Sequence, residues 1–153
     1  MSKNPRKSSR LAEINKSFEY VKAEENLLTF SFKFFISGEK YGESFKTWEE
    51  KSYLADLMEK LKAFSGKTKV ELLQESVLEE YGYFPPDSKF DMPPCFLDRK
   101  VNWARLEITG ERRLIGVFMP QQDALTEKTV FYVVFLDMNH NFAPSYYKTK
   151  RRK

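Results

Sequence analysis

Val130-Phe131-Tyr132-Val133-Val134-Phe135-Leu136 is apolar on both of its alternating faces. A strand with one wet face alternates apolar and polar side chains. A run without that alternation predicts an internal strand covered by a layer on each side. Just upstream, Trp103 to Thr109 and Arg112 to Phe118 are two strand-like runs separated by Gly110-Glu111, which predicts an antiparallel hairpin. A looser turn, Met119 to Lys128, joins the hairpin to a strand from Thr129 to Asp137. Met138-Asn139-His140-Asn141 then reads as a turn, and Phe142 to Tyr147 leads into the basic end of the chain.

Ahead of this β-rich third the pattern becomes helical. Thr47-Trp48-Glu49-Glu50 has the spacing of a capping box, in which Thr47 takes a backbone N–H and Glu50 reaches back. Leu54, Leu57, Met58, Leu61 and Phe64 follow at helical spacing, with Gly66 as the stop. Thr68-Lys69-Val70-Glu71 is a second box, and Leu72, Leu73, Val77 and Leu78 carry an apolar stripe to about Tyr81. Two helices this close in sequence predict an antiparallel helical hairpin. Before them, Phe30, Phe32 and Phe34 alternate with Thr29, Ser31 and Lys33, which predicts a strand over 27–36, broken at Ser37-Gly38-Glu39. Tyr41 to Phe45 reads as a short return strand. Between the helices and the hairpin lies a long connection, Gly82 to Asn102. Its Pro85-Pro86 and Pro93-Pro94 pairs exclude regular ladders, and Tyr83, Phe84, Phe90 and Phe96 are available to pin it. The expected fold is α+β, a two-helix hairpin packed on a mainly antiparallel sheet.

The length of 153 residues fits one domain, read here as 18–147 between basic tails at 1–17 and 148–153. A single Cys, Cys95, excludes an internal disulfide and a multi-Cys zinc site. The polar, basic start has no apolar core of a signal peptide, and no run approaches the ~20 apolar residues that span a bilayer. A cytoplasmic, soluble protein without a membrane partner is expected. Lys3, Arg6, Lys7 and Arg10 crowd one end, while Lys148, Lys150, Arg151, Arg152 and Lys153 crowd the other. Basic arms of this kind neutralise phosphates and release counterions, so RNA is the expected partner.

No Gly-rich phosphate loop, nucleophile elbow or zinc-protease helix is present. Asp137 and His140 offer two metal ligands where a catalytic zinc normally takes three from protein, so neither a metal nor another cofactor is expected. His140 follows the internal strand, where rigid elements commonly present catalytic groups, and its imidazole is suited to proton transfer near neutral pH. The same residues also make an ordinary polar turn. Arg105, Arg112 and Arg113 flank the hairpin turn with Glu107 and Glu111 among them. They read either as a phosphate-binding surface or as a solvated face of cross-strand ion pairs. Tyr146, Tyr147 and Lys148 combine rings with charge, which suits stacked bases and phosphates in single-stranded RNA and fits an unstructured tail equally well.

The stretch Ala104-Arg105-Leu106-Glu107-Ile108-Thr109-Gly110-Glu111-Arg112-Arg113-Leu114-Ile115, followed by Val130 to Leu136, resembles the hairpin and following strand of the RelE/ParE superfamily of toxins from toxin–antitoxin modules. The resemblance spans roughly Phe30 to Tyr147. It implies the element order β-α-α-β-β-β and a small basic endoribonuclease of the messenger-RNA interferase type, a hydrolase partnered by a protein antitoxin and the ribosome. Carried over by position, Arg113 is the cation on the scissile phosphate, and His140 with Tyr147 or Lys148 is the C-terminal acid–base group. Arg105, Arg112, Lys148, Lys150, Arg151 and Arg152 would bind the RNA backbone. The chain departs from the pattern in its extra N-terminal segment and its 82–102 insertion. From the residues themselves two other readings stay open: a non-catalytic RNA- or DNA-binding protein of a mobile element or defence system, and a protein-interaction module. Oligomeric state has no signal in the sequence.

Overall fold

The computed structural model describes residues 27–120 and 129–146. Their elements run β1 (Thr29–Ser31), α1 (Phe45–Glu50), α2 (Leu54–Ser65), α3 (Lys69–Gln74), β2 (Leu78–Gly82), a 3-10 turn (Pro94–Phe96), β3 (Asn102–Glu107), β4 (Arg113–Phe118) and β5 (Val130–Asp137). The strands form one five-stranded mixed sheet in the order β1-β5-β4-β3-β2. Only the β1–β5 pairing is parallel. The chain is thus α+β as expected, with β5 internal between β1 and β4 and both of its faces covered.

The hairpin forms as its spacing predicts. Gly110 adopts φ 55, a conformation that Gly takes without the penalty of a Cβ, and Arg112 N–H closes the turn on the Thr109 carbonyl at 3.0 Å. The resulting register sets Glu107 opposite Arg113 and Leu106 opposite Leu114. Gly116 is needed where β4 meets β5. A Cβ there would stand 2.3 Å from the Tyr132 carbonyl oxygen and 2.6 Å from the Phe131 ring.

The helical region departs from expectation in three ways. Ser44, not Thr47, caps the first helix, accepting the Thr47 N–H at 3.1 Å, so the helix starts three residues early. Ser52 then sits at φ 64 and breaks the run, giving α1 and α2 instead of one helix. Finally, the second helix ends at Gln74. Its capping box between Thr68 and Glu71 is present, but Ser76 turns the chain at φ 60 and Leu78–Gly82 becomes a strand. The cause is non-local. As a strand, Leu78 faces the helices while Glu79 lies opposite Arg105 in register and pairs with it, so cross-strand packing overrides helical propensity. Between β1 and β2 there are thus three helices where two were expected, and from β1 to β5 the described order is β-α-α-α-β-β-β-β, not a two-helix hairpin in a β-α-α-β-β-β arrangement.

The expected strand over 27–36 shortens to β1, because a turn returns Phe35 N–H to the Phe32 carbonyl at 3.1 Å. The return strand expected at Tyr41 to Phe45 is reduced to isolated bridges. Glu43 N–H donates to the Leu136 carbonyl and so satisfies the part of the β5 edge that β1 leaves open.

Two cores result. Under the helices, Trp48, Leu57, Leu61, Phe64 and Leu72 pack on Leu78, Ala104, Leu106, Leu114, Phe131, Val133 and Leu136. Met58, expected in that stripe, is 58% exposed, and Leu73 also reaches solvent. The opposite sheet face is covered by the 82–102 connection. Phe90 and Phe96 are buried there against Trp103, Ile115, Val117, Phe135 and Phe142. Phe84 packs beside them, but Tyr83 is 69% exposed and pins nothing. Among the described residues no helix is long and apolar enough to cross a membrane.

Candidate active site

The aromatic layer covers only part of that second face. Beyond it, at the end where β4 starts and β5 finishes, the residues become polar. Arg105 on β3, Arg113 on β4 and Asp137 on β5 join Tyr81 on β2 and His140 and Tyr146 from the C-terminal segment around one narrow pocket. Ile115, Phe142 and Ala143 form its apolar wall. The placement follows from antiparallel pairing. The first residue of β4, Arg113, lies opposite the last residue of β5, Asp137, and the turn after β5 must fold back over them.

That turn is held by two carboxylates. The Asp137 Oδ1 accepts the N–H groups of Asn139 (3.3 Å) and Asn141 (3.0 Å), and Oδ2 accepts that of Phe142 (2.9 Å). Glu43 Oε1 accepts both the Met138 N–H (2.7 Å) and the Trp48 indole N–H (3.1 Å). Burial raises the pKa of both carboxyls, and the backbone N–H donors to each oppose that shift. With the loop so fixed, Phe142 is driven into the aromatic layer, 5.4 Å from Trp103 and 5.6 Å from Tyr81 between ring centres. His140 is left at φ 56 over the pocket.

Burial and the nearby Arg113 lower the pKa of His140, with Asp137 and Glu111 acting the other way. The imidazole is therefore neutral at pH 7 and can accept a proton. Tyr81 behaves oppositely: burial pushes its phenol up to about 12, partly offset by Arg105, so it remains a donor. The two arginines are each only 7% exposed, so neither lies on an open surface or a solvated face. Arg105 Nη2 meets Glu79 at 2.9 Å, and its Nη1 lies 3.8 Å from Glu107 and donates to the Val77 carbonyl at 3.4 Å. Arg113 Nη1 donates to the carbonyls of Gly110 (2.6 Å) and Arg112 (2.9 Å), with Nη2 3.7 Å from Glu107. The guanidinium groups are thus positioned in advance by the sheet and the hairpin turn. Fixed cations of this kind suit a phosphate whose charge grows during reaction.

Of the residues expected from sequence, Arg105, Arg113 and His140 come together. Arg112 does not. Its guanidinium lies 3.8 Å over the Tyr53 ring, hydrogen-bonds Thr109 and approaches Asp56, on the helix side. Tyr147, Lys148, Lys150, Arg151 and Arg152 lie outside the described residues, as do both basic tails. Sequence reasoning missed Tyr81, hidden in an expected helix, and the anchoring role of Asp137. No period-two signal marks this strand, since Leu78 and Tyr81 stand three apart with Glu79 and Glu80 between them, which is helical spacing. Among the described residues no group of three or more His, Cys, Asp or Glu side chains is placed to hold a metal ion. Comparisons with family models, curated protein sequences and solved structures found no match to this chain.

Proposed function

We propose that this chain is a metal-independent endoribonuclease of the messenger-RNA interferase type. The observation that carries the reading is the convergence of His140, Arg113 and Arg105 on one pocket with the phenol of Tyr81. Neutral His140 takes the proton from a ribose 2′-OH. The 2′-oxygen attacks the adjacent phosphorus, the bond to the 5′-oxygen breaks, and Tyr81 supplies the proton to that leaving oxygen. Arg113, backed by Arg105, stabilises the negative charge that develops on the phosphate. The products are a 2′,3′-cyclic phosphate and a 5′-hydroxyl, with no metal in the balance. The resemblance to RelE-type toxins agrees with this chemistry and extends it to cytoplasmic messenger RNA, the ribosome and a protein antitoxin.

A second reading is favoured by a specific observation: Arg105 is already paired with Glu79, and Arg113 with two backbone carbonyls. In that reading the cluster is a structural ion network and the protein binds RNA without cutting it. The separating experiment uses end-labelled RNA in chelator, with and without ribosomes, beside a copy carrying 2′-deoxy sugars. The enzyme reading expects cleavage of the ribose substrate to a cyclic phosphate and none of the deoxy copy. Binding of both without cleavage of either leaves the second reading.

A further inference from the structure

Next to the Arg–His pocket, and sharing Tyr81, Ala143 and Tyr146 with it, is a wider cleft completed by Tyr83, Pro85 and Asp87. It is by far the roomier of the two. Its walls come from two chain segments tied together, since Asp87 Oδ2 accepts the Ser145 N–H at 3.0 Å. Tyr146 stands edge-on to Tyr81 with ring centres 5.0 Å apart, which fixes its ring. Yet Tyr146 remains 44% exposed and Tyr83 is 69% exposed. Large rings this accessible at the mouth of a polar pocket contribute little to the core, and they offer flat faces to a ligand.

We infer that this cleft is a nucleobase subsite, which seats by stacking on Tyr83 and Tyr146 the base next to the phosphate held by Arg113. The inference rests on the ribonuclease reading for the identity of that neighbour. Charge decides the polarity of the ligand. The narrow pocket sets two guanidinium groups against the one carboxylate of Asp137 and accepts the phosphate, whereas the described lining of the wide cleft has no cation and carries Asp87 on its rim, Glu80 being paired with Lys69 at 2.5 Å. A nucleotide spanning both therefore places its anionic part in the first and its neutral ring in the second. Carboxylates only accept hydrogen bonds, so the rim favours a base that presents N–H donors. A stacked base is sequence-tolerant in its ring contact, and flexible single-stranded RNA can splay one out where a duplex cannot.

The test measures binding, not cleavage, on the full chain. The probe is a fluorescent RNA octamer made uncleavable by 2′-O-methyl sugars, together with a series in which one abasic site is walked along it. The variants are Tyr83→Ala and Tyr83→Phe, each checked by a thermal melt. Tyr83 is exposed, so both should fold. The inference expects Tyr83→Ala to weaken binding of the intact octamer about 5- to 100-fold, the loss of one stacked base, while Tyr83→Phe stays close to wild type. One abasic position should reproduce the loss in wild type and abolish any further loss in Tyr83→Ala. Unchanged affinity in Tyr83→Ala overturns the subsite, as does an equal loss on every abasic octamer. Displacement of the octamer by a proline-rich peptide, with no abasic position mattering, would reassign the cleft to a protein. A wild type that binds and shows the abasic dependence but never cuts ribose RNA removes the ribonuclease reading and leaves the subsite standing.

Discussion

The two faces of this sheet are built from the same strands and are covered in different ways. On the helix-covered face, β2, β3 and β4 contribute Leu78, Ala104, Leu106 and Leu114, and α1, α2 and α3 close over them with apolar side chains. On the other face the same strands contribute Glu79, Tyr81, Arg105 and Arg113. There the cover is a connection without regular secondary structure apart from one 3-10 turn, and it stops short of the polar end. A helix buries its face while satisfying its own backbone. An irregular cover must be stitched by single bonds, here Lys89 N–H to the Asn141 carbonyl and Asp91 N–H to the Lys40 carbonyl. The cost is rigidity and the gain is an opening, so stability should concentrate on one face and chemistry on the other.

The largest expected effect lies on the helix face. Phe131 is fully buried there, and Phe131→Ala should lower unfolding free energy by about 3–5 kcal/mol, seen as an earlier denaturant midpoint. A loss below about 1 kcal/mol would break the contrast, because it would mean that the helix layer can collapse to fill the space.

A smaller effect is expected at the anchor beneath His140. Asp137 uses both oxygens on backbone donors, and Asn offers only one acceptor oxygen, so Asp137→Asn leaves a buried N–H without its partner. The expected cost is about 1–3 kcal/mol by chemical denaturation, with cleavage falling as His140 shifts. Stability unchanged together with full activity would remove the anchor from the account.

Glu43 provides the matched control and the smallest effect. It uses a single oxygen for both donors, which Gln can reproduce. Its folded pKa is raised, so its contribution to stability is fully present below the unfolded value and lost as pH rises through the folded one. Glu43→Gln should therefore differ from wild type by no more than about 0.5 kcal/mol at low pH and be the more stable variant at neutral pH. Parallel stability curves for the two proteins from acid to neutral pH would contradict the burial of that carboxylate.

Much of this was legible in the sequence where the signal is local. The Gly110 turn, the two-sided run of β5 and the Thr68–Glu71 box each depend on residues within one element. The elements misread depend on distant partners. β2 is a strand because Glu79 meets Arg105, and β1 stops early because Phe34 is drawn to Phe96 and Tyr132 on the other face. Half of the site was legible for the same reason. Arg113 opens one strand and His140 follows its antiparallel neighbour, so both fall at one end of the sheet. Tyr81 and Tyr83 were not legible as site residues, because they enter through β2 and the connection after it.

The central claim, that the polar end of the open face cuts RNA through His140, is tested most directly by His140→Asn. Asn tolerates the left-handed φ of 56 at this position, so the turn should survive the loss of the base. The measurement is the rate of cyclic-phosphate formation from labelled RNA in chelator across pH 5–8, with a thermal melt of each protein. Wild type should lose activity only as pH falls below the ordinary histidine range, because the imidazole must be neutral and its pKa is lowered. His140→Asn should melt like wild type and cut about 10²–10⁴-fold more slowly at pH 7–8, with the gap narrowing as the wild-type imidazole is protonated at lower pH. Equal rates in the two proteins, or cleavage that fails already above pH 6.5, would contradict the account.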